Sequence, residues 1–177
     1  SKGDIVIIAQ RFMFHFGPDT FENWEEDFAY VSNEGKSIDG SKRKFFGDWL
    51  NETDNLGMLL KSKGASLIIM GPVPEWENGK AFCIKQWYNL SSCRQLRTDQ
   101  DKLHQQSLED LTKLAQKHSN LYIFNTNEVL CPLNICRFQD PEGRNLYLDD
   151  DHISDYASFN LVAPVLSRFI DAKVGKQ

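Results

Sequence analysis

The sequence predicts an α/β fold in which a parallel β-sheet is flanked by helices on both faces. Three short apolar runs begin at Ile5, Ser66 and Leu121; the first is rich in β-branched residues, and the second ends in "GPVPE". The runs are continuous rather than alternating, which is typical of strands buried on both faces. Longer segments with helical spacing separate them, and this alternation is typical of a parallel sheet.

Apolar residues at helical spacing predict three helices. The first helix carries Phe45, Trp49, Leu56, Leu59 and Leu60. Gly64 supplies its C-terminal stop. The second helix carries Leu103, Leu108, Leu111 and Leu114. We expect it to open at the capping-box pattern that runs from Thr98 to Asp101. The third helix carries Leu161, Val162, Val165, Leu166, Phe169 and Ile170. Pro164 is expected to kink this helix or to mark its true start.

Length and composition limit the class of protein. The 177 residues fit one domain, predicted over residues 1–177, and the 41% apolar content is that of a chain with a real core. A formal charge of −5 argues against a nucleic-acid partner, which needs a concentrated basic face. The longest apolar stretch, "IVIIA", is far shorter than the ~20 residues of a membrane helix. The first residues enter a strand-like run at once, so we expect the chain to be the C-terminal part of a larger protein.

Four cysteines occur as two local pairs, Cys83 with Cys93 and Cys131 with Cys136. Four thiols allow three pairings, and sequence alone does not choose among them. The even count and close spacing favour two small disulfide-closed loops, which form in an oxidising compartment. A four-cysteine zinc site is one alternative, although zinc sites usually have tighter spacing, and buried free thiols are another.

The segment "NLYLDDDHIS" places three carboxylates directly before one imidazole. Asp149 and His152 are three positions apart, so both can lie on one side of a turn. A carboxylate near an imidazole fixes its tautomer and stabilises the imidazolium that forms when the ring accepts a proton. The residues leave three interpretations open: a solvated acidic turn, a general base with its orienting carboxylate, and a metal site with Asp150 and Asp151 as oxygen donors. Ser154 is placed to cap the helix that follows.

The predicted topology places this loop where catalytic groups collect. In parallel sheets, chemistry occurs at the C-terminal ends of the strands. Arg11 follows the first strand, Gly71 the second and Asn125 the third, and the loop at residues 149–152 returns toward the same edge. No G-x-G-x-x-G or Walker sequence occurs, so a nucleotide site has no support and we expect no cofactor and no metal.

Several motifs occur in an order found in a known family. They are "VIIAQRF" and "LIIMGPVPE" at the first two strands, "VLCPLNICRF" around the second cysteine pair, and "LYLDDDHIS". On these motifs the chain resembles the SGNH hydrolase-like domain at the C-terminus of membrane acyltransferases that O-acetylate bacterial surface polysaccharides. The likeness runs from Asp4 onward, and its most specific element is the Tyr-x-Asp-x-x-His-x-Ser motif at residues 147–154.

The resemblance implies an SGNH, flavodoxin-like three-layer sandwich that performs acyl transfer or ester hydrolysis on glycan acetyl groups. His152 would be the general base and Asp149 its orienting carboxylate, with Asp150 and Asp151 as solvated neighbours. From its position at the end of the first strand, Arg11 is a candidate to bind substrate or the oxyanion, and a salt bridge along the sheet edge is the alternative. The cysteine pairs would be disulfides on the periplasmic or extracellular face. The implied partners are a cell-surface glycan or acyl ester and a membrane acyltransferase domain that tethers the full-length protein.

The chain also departs from the family pattern. The family nucleophile lies in a Gly-Asp-Ser block after the first strand, and no such block occurs in this sequence. We therefore expect the first strand or strands of the domain, and the catalytic serine, to lie outside this chain. The missing strand would lie beside the strand at Ile5, which would then present an apolar edge. A catalytically inactive glycan-binding or partner domain of a membrane acyltransferase is the alternative function.

Overall fold

The computed structural model describes residues 3–9, 42–76, 93–149 and 151–175. A parallel three-stranded sheet forms its centre, in the order β1-β2-β4. Its strands are β1 (Ile5–Ile8), β2 (Ser66–Met70) and β4 (Leu121–Phe124). These are the three apolar runs of the sequence, so the predicted α/β fold with a parallel sheet is confirmed.

The middle strand explains why its sequence is apolar without alternation. β2 pairs with β1 through Ile5 and Ser66 and with β4 through Leu67 and Leu121. Leu67, Ile68 and Ile69 are completely buried. Because successive side chains point to opposite faces, a strand covered on both faces must be apolar at every position.

Helices and a second, antiparallel sheet complete the described fold. The helices are α1 (Lys42–Ser62), α2 (Arg97–Leu103), α3 (Gln105–Lys117), α4 (Asn127–Leu130), α5 (Asp155–Ala157) and α6 (Ala163–Lys173). The small sheet pairs β3 (Arg94–Leu96) with β5 (Ile135–Arg137). A 3₁₀ turn, Pro132–Asn134, precedes β5, and a π-helical segment, Ser158–Val162, joins α5 to α6. No described helix is both long enough and apolar enough to cross a membrane.

The sheet carries a separate apolar core on each face. One core, formed with α1 and α3, includes Phe46, Leu60, Leu67, Ile69, Leu111, Leu114 and Leu121. The other core, against which α6 packs, includes Ile68, Trp76, Phe124, Leu130, Phe138, Tyr147 and Val162. Alternate residues of β2 thus supply the two cores, which makes the described fold a sheet between two helical layers.

The helix predictions were right about existence and partly wrong about boundaries. The first helix forms, and Gly64 adopts a positive φ of 66° after it. The capping-box prediction is wrong: α2 begins at Arg97, one residue before Thr98, and its N-cap Leu96 makes no side-chain cap bond. The backbone amide of Thr98 instead donates to the Asn134 side chain at 3.2 Å. Asn134 lies in the 3₁₀ turn before β5, so a residue distant in sequence replaces the local cap.

A kink divides the second predicted helix at His104, where φ is −100° and ψ is 5°. The backbone bond from His104 to Gln100 at 3.1 Å and that from Leu108 to His104 at 3.0 Å continue across the kink. In the third predicted helix, Pro164 lies in the first turn of α6, directly after the π-helical segment. Proline lacks the N–H that an α-helical turn would use, which accounts for the irregular turn before it.

The cysteine predictions have two outcomes. Cys131 and Cys136 form a disulfide, as predicted. Cys83 lies outside the described residues, and Cys93 is buried within the core on the α6 side of the sheet.

Candidate functional site

A short antiparallel loop carries the acidic-histidine segment. Tyr147 and Ile153 form an isolated β-bridge at its base. The backbone amide of Leu148 donates to the carbonyl of His152 at 2.7 Å, and the amide of Ser154 donates to the carbonyl of Leu146 at 2.9 Å. These bonds close the loop on itself, so Asp149 and Asp151 are held between two pairs of backbone contacts.

Aromatic packing fastens the loop to the C-terminal end of β2. Tyr147 is completely buried, and its ring lies 5.4 Å from that of Trp76 and 5.6 Å from that of Phe138. Burial raises the pKa of Tyr147, so its phenol stays neutral. Trp76 belongs to the extension that follows β2. The loop is therefore attached at the edge of the sheet where the sequence placed it.

Buried side-chain amides hold the β2 extension in position. The side chain of Gln100 accepts from the Glu75 amide at 2.9 Å and donates to the Glu75 carbonyl at 3.1 Å. Gln95 donates to the same carbonyl at 2.8 Å. Nearer the strand, the Thr126 hydroxyl donates to the Gly71 carbonyl at 3.0 Å. The extension is thus fixed by α2, by β3 and by the segment after β4.

Asp149 and His152 are in direct contact. Nδ1 of His152 lies 2.9 Å from Oδ1 and 2.8 Å from Oδ2 of Asp149. With Nδ1–H donating to the carboxylate, the lone pair of the neutral ring lies on Nε2. The His152 side chain is 64% exposed, so this nitrogen can be approached from solvent. The two side chains therefore meet on one side of a turn, as the spacing of three predicted.

The loop backbone holds Asp149 in its ionised form. Its Oδ1 accepts from the amide of Asp151 at 3.1 Å and from the amide of His152 at 2.7 Å. Desolvation would raise the pKa of this carboxyl, but the hydrogen bonds from the backbone amides of Asp151 and His152 and from the His152 ring outweigh it and lower the pKa to about 2. Asp149 is therefore a carboxylate throughout the neutral and moderately acidic range.

Asp151 corrects one sequence-based expectation. It was expected to be solvated, yet it is 5% exposed, and its Oδ1 lies 3.1 Å from Nδ1 of His152. The turn that forms around the Asp149 carboxylate directs the Asp151 side chain inward, toward the His152 ring. Two carboxylates therefore face one imidazole nitrogen. Asp150 lies outside the described residues.

The chain matches one known protein family. A family model described as "SGNH domain (fused to AT3 domains)" matches residues 1–167. The chain belongs to this family. The resemblance seen in the sequence is thereby confirmed, and the protein is an acyltransferase-associated, hydrolase-like domain. Fusion to AT3 domains indicates a membrane acyltransferase as the partner domain and a membrane-tethered protein. Neither curated proteins nor solved structures gave a significant match.

The donor set of this SGNH domain could also hold a metal ion. Ligand atoms of Asp149, Asp151 and His152 all lie within 4.8 Å of one another. Two carboxylates and an imidazole suit a divalent ion. Such an ion would compete with the Nδ1–H bond to Asp149, because the same nitrogen cannot donate a proton and bind metal. Metal binding and base orientation are therefore alternative uses of these side chains.

Two predicted site residues of the SGNH domain, Arg11 and Cys83, lie outside the described residues. A groove of about 720 Å³ opens at the C-terminal end of β4. Its lining includes Phe124, Asn125, Glu128, Asn160, Arg168 and Phe169. The Asp149–His152 pair does not line it, so this groove and the carboxylate–imidazole pair are distinct features.

Proposed function

We propose that this SGNH domain transfers or hydrolyses acetyl groups on a bacterial cell-surface glycan. Asp149 and His152 act in this proposal as the orienting carboxylate and the general base, and the nucleophile is a serine that lies outside these 177 residues. The observation that carries it is the contact of His152 Nδ1 with both Asp149 oxygens, at 2.8 and 2.9 Å, on a ring whose side chain is 64% exposed.

The chemistry follows from where the proton can go. Nε2 of His152 accepts the serine hydroxyl proton while the serine oxygen attacks the ester carbonyl. Asp149 stabilises the imidazolium that results, as its ionised state allows. Collapse of the tetrahedral intermediate expels the alcohol, which takes the proton from Nε2, and an acetyl-serine remains. A glycan hydroxyl or water then attacks the acetyl-serine, with His152 again accepting the proton. Collapse of this second intermediate releases acetylated glycan or acetate, and the departing serine oxygen takes the proton back from Nε2.

The intermediate needs a donor for its oxyanion, and the proposal assigns Arg11 to this role or to substrate binding. Arg11 follows β1 in the sequence by three residues. The carboxyl ends of parallel strands share one edge, and the loop of Asp149 and His152 is attached at that edge through Trp76. The Cys131–Cys136 disulfide supports an oxidising location, so the proposed site of action is the extracytoplasmic face.

The test is the turnover of a chromogenic acetyl ester by the full-length protein that carries this domain. We expect His152→Ala and Asp149→Asn to lower kcat/KM by about 10³-fold or more, as loss of a base or its orienting carboxylate does elsewhere. Asp155→Asn, an exposed acid in the first turn of α5, is the matched control and should leave turnover unchanged.

Other outcomes separate the alternatives. Full turnover by His152→Ala would reject the proposal. Glycan binding by a parent protein without ester turnover would instead support the inactive binding or partner domain. Stoichiometric metal in protein purified without chelators, lost in Asp151→Asn, would point to a metal-dependent hydrolase.

A further inference from the structure

The two-stranded sheet of β3 and β5 presents one face outward. Gln95 pairs with Cys136, which is completely buried, so these two side chains point inward. The neighbouring pairs point the other way, because side chains alternate along a strand. They are Arg94 opposite Arg137 and Leu96 opposite Ile135. We call these four residues, together with Leu133, the basic-apolar face.

The arginine pair of this face lacks a counter-ion within the described part of the chain. Like charges directly opposite each other destabilise an antiparallel sheet. Two other arginines do have counter-ions. Arg97 forms an ion pair with Asp101 at 3.2 Å, and Arg144 forms one with Asp140 at 2.6 Å. A pair of facing guanidinium groups is a binding arrangement for phosphate groups.

Leu133 extends the same face with an apolar tip. It is 96% exposed and has a φ of 55°, and Asn134 after it has a φ of 64°. A left-handed backbone costs about 1–2 kcal/mol for a residue with a side chain. The Cys131–Cys136 disulfide closes this loop, and Asn134 ties it to the start of α2 through the Thr98 amide at 3.2 Å. Leu133 is thus held exposed to solvent, in a left-handed backbone conformation that is unfavourable for leucine.

Leu96 lies beside this loop and is 50% exposed. Leu96 pairs with Ile135, so Leu96 lies on the face that carries Arg94 and Arg137. Leu133 lies in the turn that leads into Ile135, at the end of this face. Exposed leucines next to arginines that have no counter-ion among the described residues match a surface that is apolar inside and anionic outside. The formal charge of the whole chain is −5, so an anionic surface would repel the chain as a whole. Attraction to such a surface would therefore have to come from the positive charge of this face alone.

We propose that the basic-apolar face docks on an anionic lipid membrane, with Leu133 and Leu96 inserted at the interface and Arg94 and Arg137 against lipid phosphates. A membrane is chosen over a protein partner because the family to which the chain belongs is fused to AT3 domains, and such a fusion tethers the domain to a membrane. The proposal does not depend on the catalytic assignment of Asp149 and His152, and it is tested without an activity assay.

The experiment is co-sedimentation of the chain with vesicles of phosphatidylcholine, with and without phosphatidylglycerol. Binding is expected only with the anionic lipid and should weaken as salt rises. Arg94→Gln and Arg137→Gln should each weaken binding about fivefold, and Leu133→Asn about tenfold. Lys61→Gln and Leu59→Asn, exposed positions on α1, are the matched controls and should bind like the parent.

Folding is checked by urea unfolding of each variant. Leu133→Asn should be at least as stable as the parent, because asparagine tolerates the left-handed backbone and no packing is lost. Absence of binding to the anionic vesicles would overturn the proposal. Parent-like binding by Leu133→Asn and by the double variant Arg94→Gln with Arg137→Gln would overturn it as well. A dimer that Leu133→Asn dissociates, without vesicle binding, would assign the face to a second copy of the chain and equally overturn it.

Discussion

Asp54 on α1 and His118, the residue after α3, form a carboxylate–imidazole contact at the N-terminal end of the sheet. It has the same chemical groups as the Asp149–His152 pair but lies at the other end of the strands. The His118 side chain is 7% exposed, compared with 64% for His152. A buried ring held by one carboxylate joins two helices, whereas an exposed ring has a nitrogen available to a reactant. The two pairs should therefore respond differently to mutation.

Asp54→Asn should destabilise the fold without affecting ester turnover. Loss of this hydrogen bond to the buried His118 is expected to lower the free energy of unfolding by about 1 kcal/mol. The hydrogen bond from His118 lowers the pKa of Asp54, against an opposing effect of desolvation and with help from Lys117. The contact thus stabilises the fold at pH values above the ordinary pKa of an aspartate. This stabilisation is lost as the pH falls through the lower pKa that Asp54 has in the folded state. Urea unfolding of parent and variant should converge in strong acid, and a constant difference down to the lowest pH would contradict this.

His104, completely buried at the kink between α2 and α3, should make the fold sensitive to mild acid. Desolvation lowers its pKa from 6.5 to about 4, only partly offset by Asp101 and the backbone of Val73. Between these values the unfolded chain binds the proton and the folded chain does not, so stability falls as the pH falls through this window. The loss should reach about 3 kcal/mol near pH 4 and then level off. Urea midpoints across the window should show this slope in the parent and a flat profile in His104→Gln.

Ser154→Ala should cost both stability and site geometry. The Ser154 hydroxyl donates to the Asn145 carbonyl at 2.7 Å and accepts from the Ala157 amide at 3.1 Å, which caps α5 as predicted. Losing such a cap costs about 1–2 kcal/mol. Because the cap lies two residues after His152, ester turnover by the full-length protein should fall as well. Ser154→Thr keeps the hydroxyl and should restore both; equal damage by both substitutions would mean that packing, not the cap, is responsible.

The Cys131–Cys136 disulfide closes a loop with a sequence separation of 5. A short loop of this kind is expected to contribute about 2 kcal/mol through the entropy of the unfolded chain. The measurement is urea unfolding of the parent with and without reductant, next to the double variant Cys131→Ala with Cys136→Ala. Reductant should lower the stability of the parent by more than that of the double variant. A parent that is insensitive to reductant would refute the expectation.

Features set by neighbouring residues could be predicted from the sequence. The strands were found because burial on both faces imposes a continuous apolar run, as Leu67, Ile68 and Ile69 show. The Asp149–His152 contact was predictable because a spacing of three fixes both groups on one turn. The cap by Ser154 is equally local.

Features set by distant contacts could not be predicted. Gln100 holds Glu75 across 25 positions, and no local pattern distinguishes it from an exposed helical glutamine. The β3 and β5 strands have three residues each and pair only because the fold brings them together. Asp151 was misjudged because composition does not reveal side-chain direction within a run of acids.

The loop that carries Asp149 and His152 orients its own imidazole ring. The carboxylate is held by the amides of its own turn, and the imidazole is held by that carboxylate. Among the described residues, the groups that contact the imidazole nitrogen lie within three residues of it, so the ring is aligned when the loop folds and before any ester arrives. Preorganisation of this kind needs no domain closure, and the reorganisation cost of aligning the base is met during folding rather than during each turnover.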